Sequence, residues 1–201
     1  LVDGVRYLHF DLTDFEIAKK YLDQKFDYVV NLCGYINHQL FQNGGHAQIK
    51  NHFNSLKTLV EFLPRQELKR FVQIGSSDEY GNAPAPQNEK LREQSISPYS
   101  LAKVASTHFL QMLYHTENFP SVTLRLFLTY GPGQDTERFL PQIIKGCLQN
   151  KAFHTSAGEQ LRDFCYVEDV VNGIMLALQT DKLKGEVLNI ASGQPVSIRN
   201  M

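Results

Sequence analysis

Short apolar runs alternate along this chain with longer stretches in which apolar residues return every three or four positions. The runs predict strands at Val5–Phe10, Asp27–Gly34, Phe71–Gly75, Val122–Phe127 and Glu186–Ala191, with one or two more between Ala152 and Cys165. Asp27–Gly34 is continuously apolar at its centre, which suits a strand of a parallel sheet covered on both faces. Helical spacing predicts a helix after Thr13-Asp14, with Ala18, Tyr21 and Leu22 turned inward. Further helices are predicted at Ile49–Leu63, stopped by Pro64, at Pro98–Asn118, at Arg138–Gln149 and at Val167–Gln179. Ser197 reads as the cap of a last helix. Residues 34–48 and the proline- and asparagine-rich stretch Asn82–Ser97 read as loops. Strands alternating with helices predict a parallel α/β sheet with right-handed crossovers.

Composition narrows the class. The 201 residues fit one domain with a substantial core, and 42% are hydrophobic, as is ordinary for a soluble globular protein. A net charge of −1 gives no basic footprint for nucleic acid. Cys33, Cys147 and Cys165 have no metal-ligand spacing and read as thiols in a reducing compartment. No signal peptide or bilayer-spanning run is visible, so a soluble cytoplasmic protein without a membrane partner or a metal is expected.

The candidate chemistry centres on Ser97-Pro98-Tyr99-Ser100-Leu101-Ala102-Lys103. Pro98 suits the first turn of a helix and Ser97 its cap. Leu101, Val104, Ala105, Phe109, Leu110 and Leu113 recur at helical spacing and predict the buried face. Tyr99 and Lys103, four apart, share one side of the helix. A free tyrosine titrates near ~10, too high for a general base at neutral pH, and a neighbouring ammonium favours the phenolate.

Three further stretches accompany it: Phe71-Val72-Gln73-Ile74-Gly75-Ser76-Ser77-Asp78-Glu79-Tyr80-Gly81, Arg125-Leu126-Phe127-Leu128-Thr129-Tyr130-Gly131-Pro132, and Arg162-Asp163-Phe164. In this order, from Asp11 to Ile198, the chain resembles the NAD-dependent epimerase/dehydratase family, extended short-chain dehydrogenases that act on nucleotide sugars. The resemblance implies a Rossmann-like doubly wound parallel sheet with a small C-terminal substrate-binding part. The glycine-rich turn that opens a dinucleotide fold is not found before Asp11, so the sheet is expected to lack its first β-α-β unit. Residues 1–130 are expected to form this partial dinucleotide-binding domain. Residues 131–201 are expected to form a mixed region that adds nucleotide-sugar contacts and a late strand, interleaved with the first.

The resemblance also assigns residues. Tyr99 and Lys103 become the catalytic pair, and Lys103 also holds the nicotinamide ribose. Ser76, four before Tyr80, becomes the catalytic hydroxyl that orients the reacting sugar oxygen, with Ser77 beside it. Asp78 takes the place of an acid–base group used when water or carbon dioxide is lost, and equally reads as a solvated loop carboxylate. Glu79 takes a normally apolar position and reads as solvated too. Asp11 and the adjoining Leu12 match the adenine contact, Asp11 reading equally as a helix cap. Leu32-Cys33-Gly34 matches a Leu-Ala-Ala segment along the cofactor, and Asn51 matches an asparagine on a lining helix. Leu128 stands where relatives carry a substrate-binding asparagine. Arg162 matches a diphosphate-binding arginine, with a salt bridge to Asp163 or Glu159 as the alternative.

The expected function is NAD-dependent modification of a nucleoside-diphosphate sugar through a 4-keto intermediate, with NAD favoured over NADP. The expectation leans to a 4-epimerase, with a 4,6-dehydratase or 4-keto reductase as alternatives. A rival from another class is a non-catalytic Rossmann-like binding module. A homodimer through the helices at 49–63 and 98–118 is the family expectation.

Overall fold

The computed structural model describes residues 2–152 and 156–201. In chain order the elements are α1 (Phe15–Leu22), β1 (Tyr28–Asn31), α2 (His46–Gln48), a π-helical segment (Ile49–Asn54), α3 (Ser55–Phe62), β2 (Arg70–Ser76), a 3-10 turn (Ser77–Tyr80) and α4 (Pro98–Glu117). There follow β3 (Ser121–Leu126), β4 (Leu128–Tyr130), α5 (Phe139–Leu148), β5 (Leu161–Arg162), β6 (Phe164–Tyr166), α6 (Val167–Gln179), β7 (Val187–Ile190) and β8 (Val196–Ser197).

The main sheet is parallel, in the order β1-β2-β3-β7. Successive residues of β2 point to opposite faces, and each face has its own core. Phe71 packs with Leu56, Leu59 and Val60 of α3, Ala18 and Leu22 of α1, and Leu110 and Leu113 of α4. Val72 packs on the other side with Val122, Leu124 and Ala177 of α6. Helices on both faces of a parallel sheet make the expected doubly wound α/β arrangement. β7 is laid beside β3, Thr123 opposite Val187, so the late chain completes the sheet begun by the early chain.

Local chemistry sets the element ends. Asp14 caps α1, its carboxylate accepting from Ile17 N–H at 3.2 Å. Leu63 turns extended before Pro64 and ends α3. α4 ends where Asn118 adopts a left-handed conformation, φ 53°.

Several expectations change. Val5–Phe10 forms no strand: it has no sheet partner among the described residues, and Phe10 instead packs against the core beside α1. The helix expected at 49–63 opens as a π-helical segment and becomes α-helical only at Ser55. Residues 41–48, expected as loop, carry a 3-10 turn and α2. Ser197 precedes a 3-10 turn, but its side chain makes no capping hydrogen bond. Of the strands expected between Ala152 and Cys165, the structure gives β5 and β6; residues 153–155 lie outside the described residues. No helix among the described residues is long and apolar enough to cross a membrane.

Candidate active site

A cavity of about 640 Å³ opens at the carboxyl ends of the strands, where open α/β sheets hold ligands. β1 runs out into Leu32, Cys33 and Gly34 on its rim. β2 ends in Ser76 and feeds the turn that carries Ser77 and Asp78; α4 contributes Tyr99 and Lys103. The facing wall comes from Leu128, Arg138 and Arg162.

α4 is turned differently from the apolar pattern. Its buried face runs through Tyr99, Ser100, Ala102, Lys103, Ser106, Thr107, Leu110 and Leu113, while Leu101 is exposed. Polar groups can be buried here because each finds a partner. Ser106 donates to Ala102 O at 2.8 Å, Thr107 to Glu79 at 2.8 Å, and Lys103 Nζ to Ile74 O at 2.7 Å. The helix start is fixed by Ser97 and Ser100: Ser100 N–H donates to Ser97 Oγ at 3.1 Å, and Ser97 N–H to Ser100 Oγ at 2.9 Å.

Lys103 Nζ stands 5.8 Å from the centre of the Tyr99 ring. The expected lowering of the phenol pKa does not follow. Burial dominates and pushes Tyr99 up to about 12; Ser76 draws it down, Asp78 and Glu79 push it further up, and Arg138 draws it down. Lys103 is itself depressed to about 8 by burial, with Glu79 and Cys33 opposing. Both groups are therefore tuned mainly by the loss of water, and a further positive charge entering the cavity would lower the phenol.

Ser76 Oγ accepts from Asp78 N–H at 3.1 Å, and its hydroxyl also engages the Tyr99 phenol, drawing that pKa down. Asp78 is half-exposed on the cavity wall, its carboxylate 3.6 Å from His38 Nε2. Glu79, read above as solvated, is fully buried. Its Oε1 accepts from Ser76 N–H at 3.0 Å, closing a capping box around the turn. Ser76-x-x-Glu79 is itself a capping-box spacing, and that signal was available in the sequence.

His38 and His52 flank Tyr99 edge-on, with ring centres 5.6 and 5.1 Å from it. Sequence reasoning singled out neither. His52 Nε2 bonds Tyr35 O at 2.9 Å, and burial lowers its pKa to about 4, which keeps the ring neutral near pH 7. A Cβ at Gly34, φ +104°, would lie 2.0 Å from the His52 ring, so the glycine makes room for the imidazole.

Leu32, Cys33, Gly34, Ser76, Ser77, Asp78, Tyr99, Lys103, Leu128 and Arg162 all line the cavity. Three expected residues do not. Asn51 lies next to the lining residue His52, and its carbonyl accepts from Ser55 Oγ at 2.7 Å. Leu12 packs against the core beside α1. Asp11 is exposed, its Oδ1 accepting from Thr13 N–H at 2.7 Å and Thr13 Oγ1 at 2.8 Å, while the cap of α1 is Asp14. Arg162 forms no salt bridge with Asp163: that carboxylate instead accepts from Ser192 N–H at 2.7 Å and Gly193 N–H at 2.8 Å. Among the described residues no cluster of three His, Cys, Asp or Glu could hold a metal ion.

The model of the NAD dependent epimerase/dehydratase family matches residues 2–191. The chain is 29% identical over 157 residues to an uncharacterised UDP-glucose epimerase, YtcB, of Bacillus subtilis, covering 78% of this chain and 50% of that protein. It is 26% identical over 205 residues to the dTDP-D-glucose 4,6-dehydratase of Dictyostelium discoideum, covering 93% of this chain and 46% of that one. Among solved structures it superposes on the UDP-glucuronic acid 4-epimerase of Bacillus cereus, in complex with NAD, with a TM-score of 0.84 at 29% identity, covering 93% of this chain and 60% of that one. The chain thus spans about half the length of these curated relatives.

Proposed function

The chain belongs to the NAD-dependent epimerase/dehydratase family, and from that premise we propose that it modifies a nucleoside-diphosphate sugar through a 4-keto intermediate, with Tyr99 as the proton carrier. One observation carries the reading. Ser76, Tyr99 and Lys103 come from two elements far apart in sequence and meet on one wall of one cavity. Tyr99 takes the proton of the sugar C4 hydroxyl and returns it. Ser76 donates to the same oxygen and orients it. The cofactor, NAD in preference to NADP, supplies hydride uptake and return at C4 when bound. The donor set fits its nicotinamide ribose: Lys103 gives one N–H to Ile74 O, and its other N–H groups remain for a ribose diol. Leu32, Cys33 and Gly34 would lie along it. Arg162, with no acidic partner among the described residues, would take diphosphate oxygens, for which its forked donors suit.

A 4-epimerase needs only these groups. A second reading, a 4,6-dehydratase, gains support from Asp78, because elimination of water needs acid–base capacity beyond Tyr99, and Asp78 lines the cavity beside His38. The homodimer belongs to the same proposal, and the exposed Leu101 and Met112 of α4 suit such a contact. The test is incubation with NAD+ and a panel of UDP-, dTDP-, GDP- and CDP-hexoses, with products identified by NMR. A C4 epimer or 4-keto product supports the proposal, and no turnover across the panel with an intact fold opposes it. If a 4-keto-6-deoxy product forms, Asp78→Asn decides the second reading: loss of that product supports it, and unchanged formation removes Asp78 from catalysis.

A further inference from the structure

Asp78 and Glu79 are neighbours with opposite fates. Asp78 faces the cavity, whereas Glu79 is fully buried behind it. A buried carboxylate is costly unless it is paired and hydrogen-bonded. Glu79 is both. Oε1 accepts from Ser76 N–H at 3.0 Å, while Oε2 accepts from Thr107 Oγ1 at 2.8 Å and from Arg125 Nε at 2.9 Å. Gly75 makes room for it, since a Cβ there would lie 2.6 Å from Oε1. Arg125, also fully buried, lies over the Tyr80 ring at 4.7 Å and reaches Glu93 of the 82–97 loop through Nη2.

Glu79 therefore ties three pieces together: the turn that presents Ser76, the strand that carries Arg125, and α4 at Thr107, one helical turn beyond Lys103. We propose that Glu79, paired with Arg125, is a positioning residue that holds the Ser76 turn and the Tyr99–Lys103 helix in one fixed relation. The catalytic part of this inference rests on the function proposed above; the structural part does not.

The charge of Glu79 also reaches Lys103. The groups facing Lys103 are Glu79 from the turn, Cys33 from the segment after β1, His52 from the π-helical segment and Tyr99 on its own helix. Glu79 raises the pKa of Lys103 against the burial that brings it down to about 8.

The experiment uses Glu79→Gln, which keeps the shape and removes the charge. In the chain labelled with carbon-13 at lysine Cε, the Lys103 midpoint near 8 moves to lower pH while the amide spectrum stays native. On whichever nucleotide sugar the panel identifies, kcat falls by roughly 10²-fold, the scale of a 1 Å misplacement, with KM nearly unchanged. Loss of the charge moves the midpoint by itself; a role confined to the fold would leave the ratio of the two constants unchanged. If Glu79→Gln does not fold, Glu79→Gln/Arg125→Met removes both charges of the pair and is read in the same way. An unmoved Lys103 midpoint, or a native kcat, in a folded variant overturns the proposal. Failure of the function itself shows separately, as Tyr99→Phe with full turnover while the Lys103 midpoint still responds to Glu79.

Discussion

The two walls of the cavity are built by different rules. The wall of Ser76, Tyr99 and Lys103 is buried, with Lys103 bonded to Ile74 O and the Glu79–Arg125 pair behind it. The facing wall, at Leu128, Arg138 and Arg162, is more open, and its two arginines have no acidic partners among the described residues. On the proposed function, this difference divides the labour. Proton transfer needs groups held in place before the ligand arrives. Recognition of a charged ligand needs donors still free when it does.

The largest effect that tests this contrast is on turnover. Tyr99→Phe removes one hydroxyl from the bonded wall and should lower kcat by roughly 10²–10⁴-fold, the range of a general acid–base group. Calorimetry should find nucleotide-sugar binding nearly intact. Normal turnover would place the proton carrier elsewhere.

The next test makes one substitution behind the buried wall and one on the open wall. Arg125→Met leaves Glu79 as a buried charge without its ion partner and should cost about 3–5 kcal/mol of stability in urea unfolding. Arg162→Met should leave stability within about 0.5 kcal/mol and instead weaken nucleotide-sugar binding. Equal destabilisation by both would erase the distinction.

The wall proposed to do the chemistry was the more legible in sequence, though only in part. Tyr99 and Lys103 share one helix side and Ser76 follows a strand, but it was the resemblance of the surrounding stretches to the family that singled the three out. The orientation of α4 was misread, because periodicity counts apolar residues. Lys103, Ser106 and Thr107 are buried through hydrogen bonds, which leave no trace in that count. The Glu79–Arg125 pair was masked in the same way, its members lying 46 residues apart, although the Ser76-x-x-Glu79 spacing did signal the capping box. His52 gave no signal of its own, although the absence of a side chain at Gly34 marks the space its ring fills. Val5–Phe10 has the composition of a strand, but a strand also needs a neighbour to bond.

A subtler effect concerns pH. His52 binds its proton less tightly folded, near 4, than at its ordinary 6.5. The folded state therefore loses stability as pH falls from 6.5 towards 4, where the unfolded chain takes up the proton first. His52→Gln should flatten this limb in thermal melts. Lys103 acts at the other end: stability should rise as pH climbs from about 8 towards 10.5, because only the unfolded chain keeps the proton there. Lys103→Met should remove that rise.

The central claim is that the bonded wall carries oxidation and proton transfer at the sugar C4. Its most direct test follows a nucleoside-diphosphate hexose bearing deuterium at C4, with NAD+ present, by NMR and mass spectrometry. The account predicts that deuterium leaves C4 for the cofactor as a 4-keto sugar forms, or returns to C4 with inverted configuration, and that Tyr99→Phe stops both. Product formed while the deuterium never leaves C4, or at the same rate in Tyr99→Phe, would contradict it.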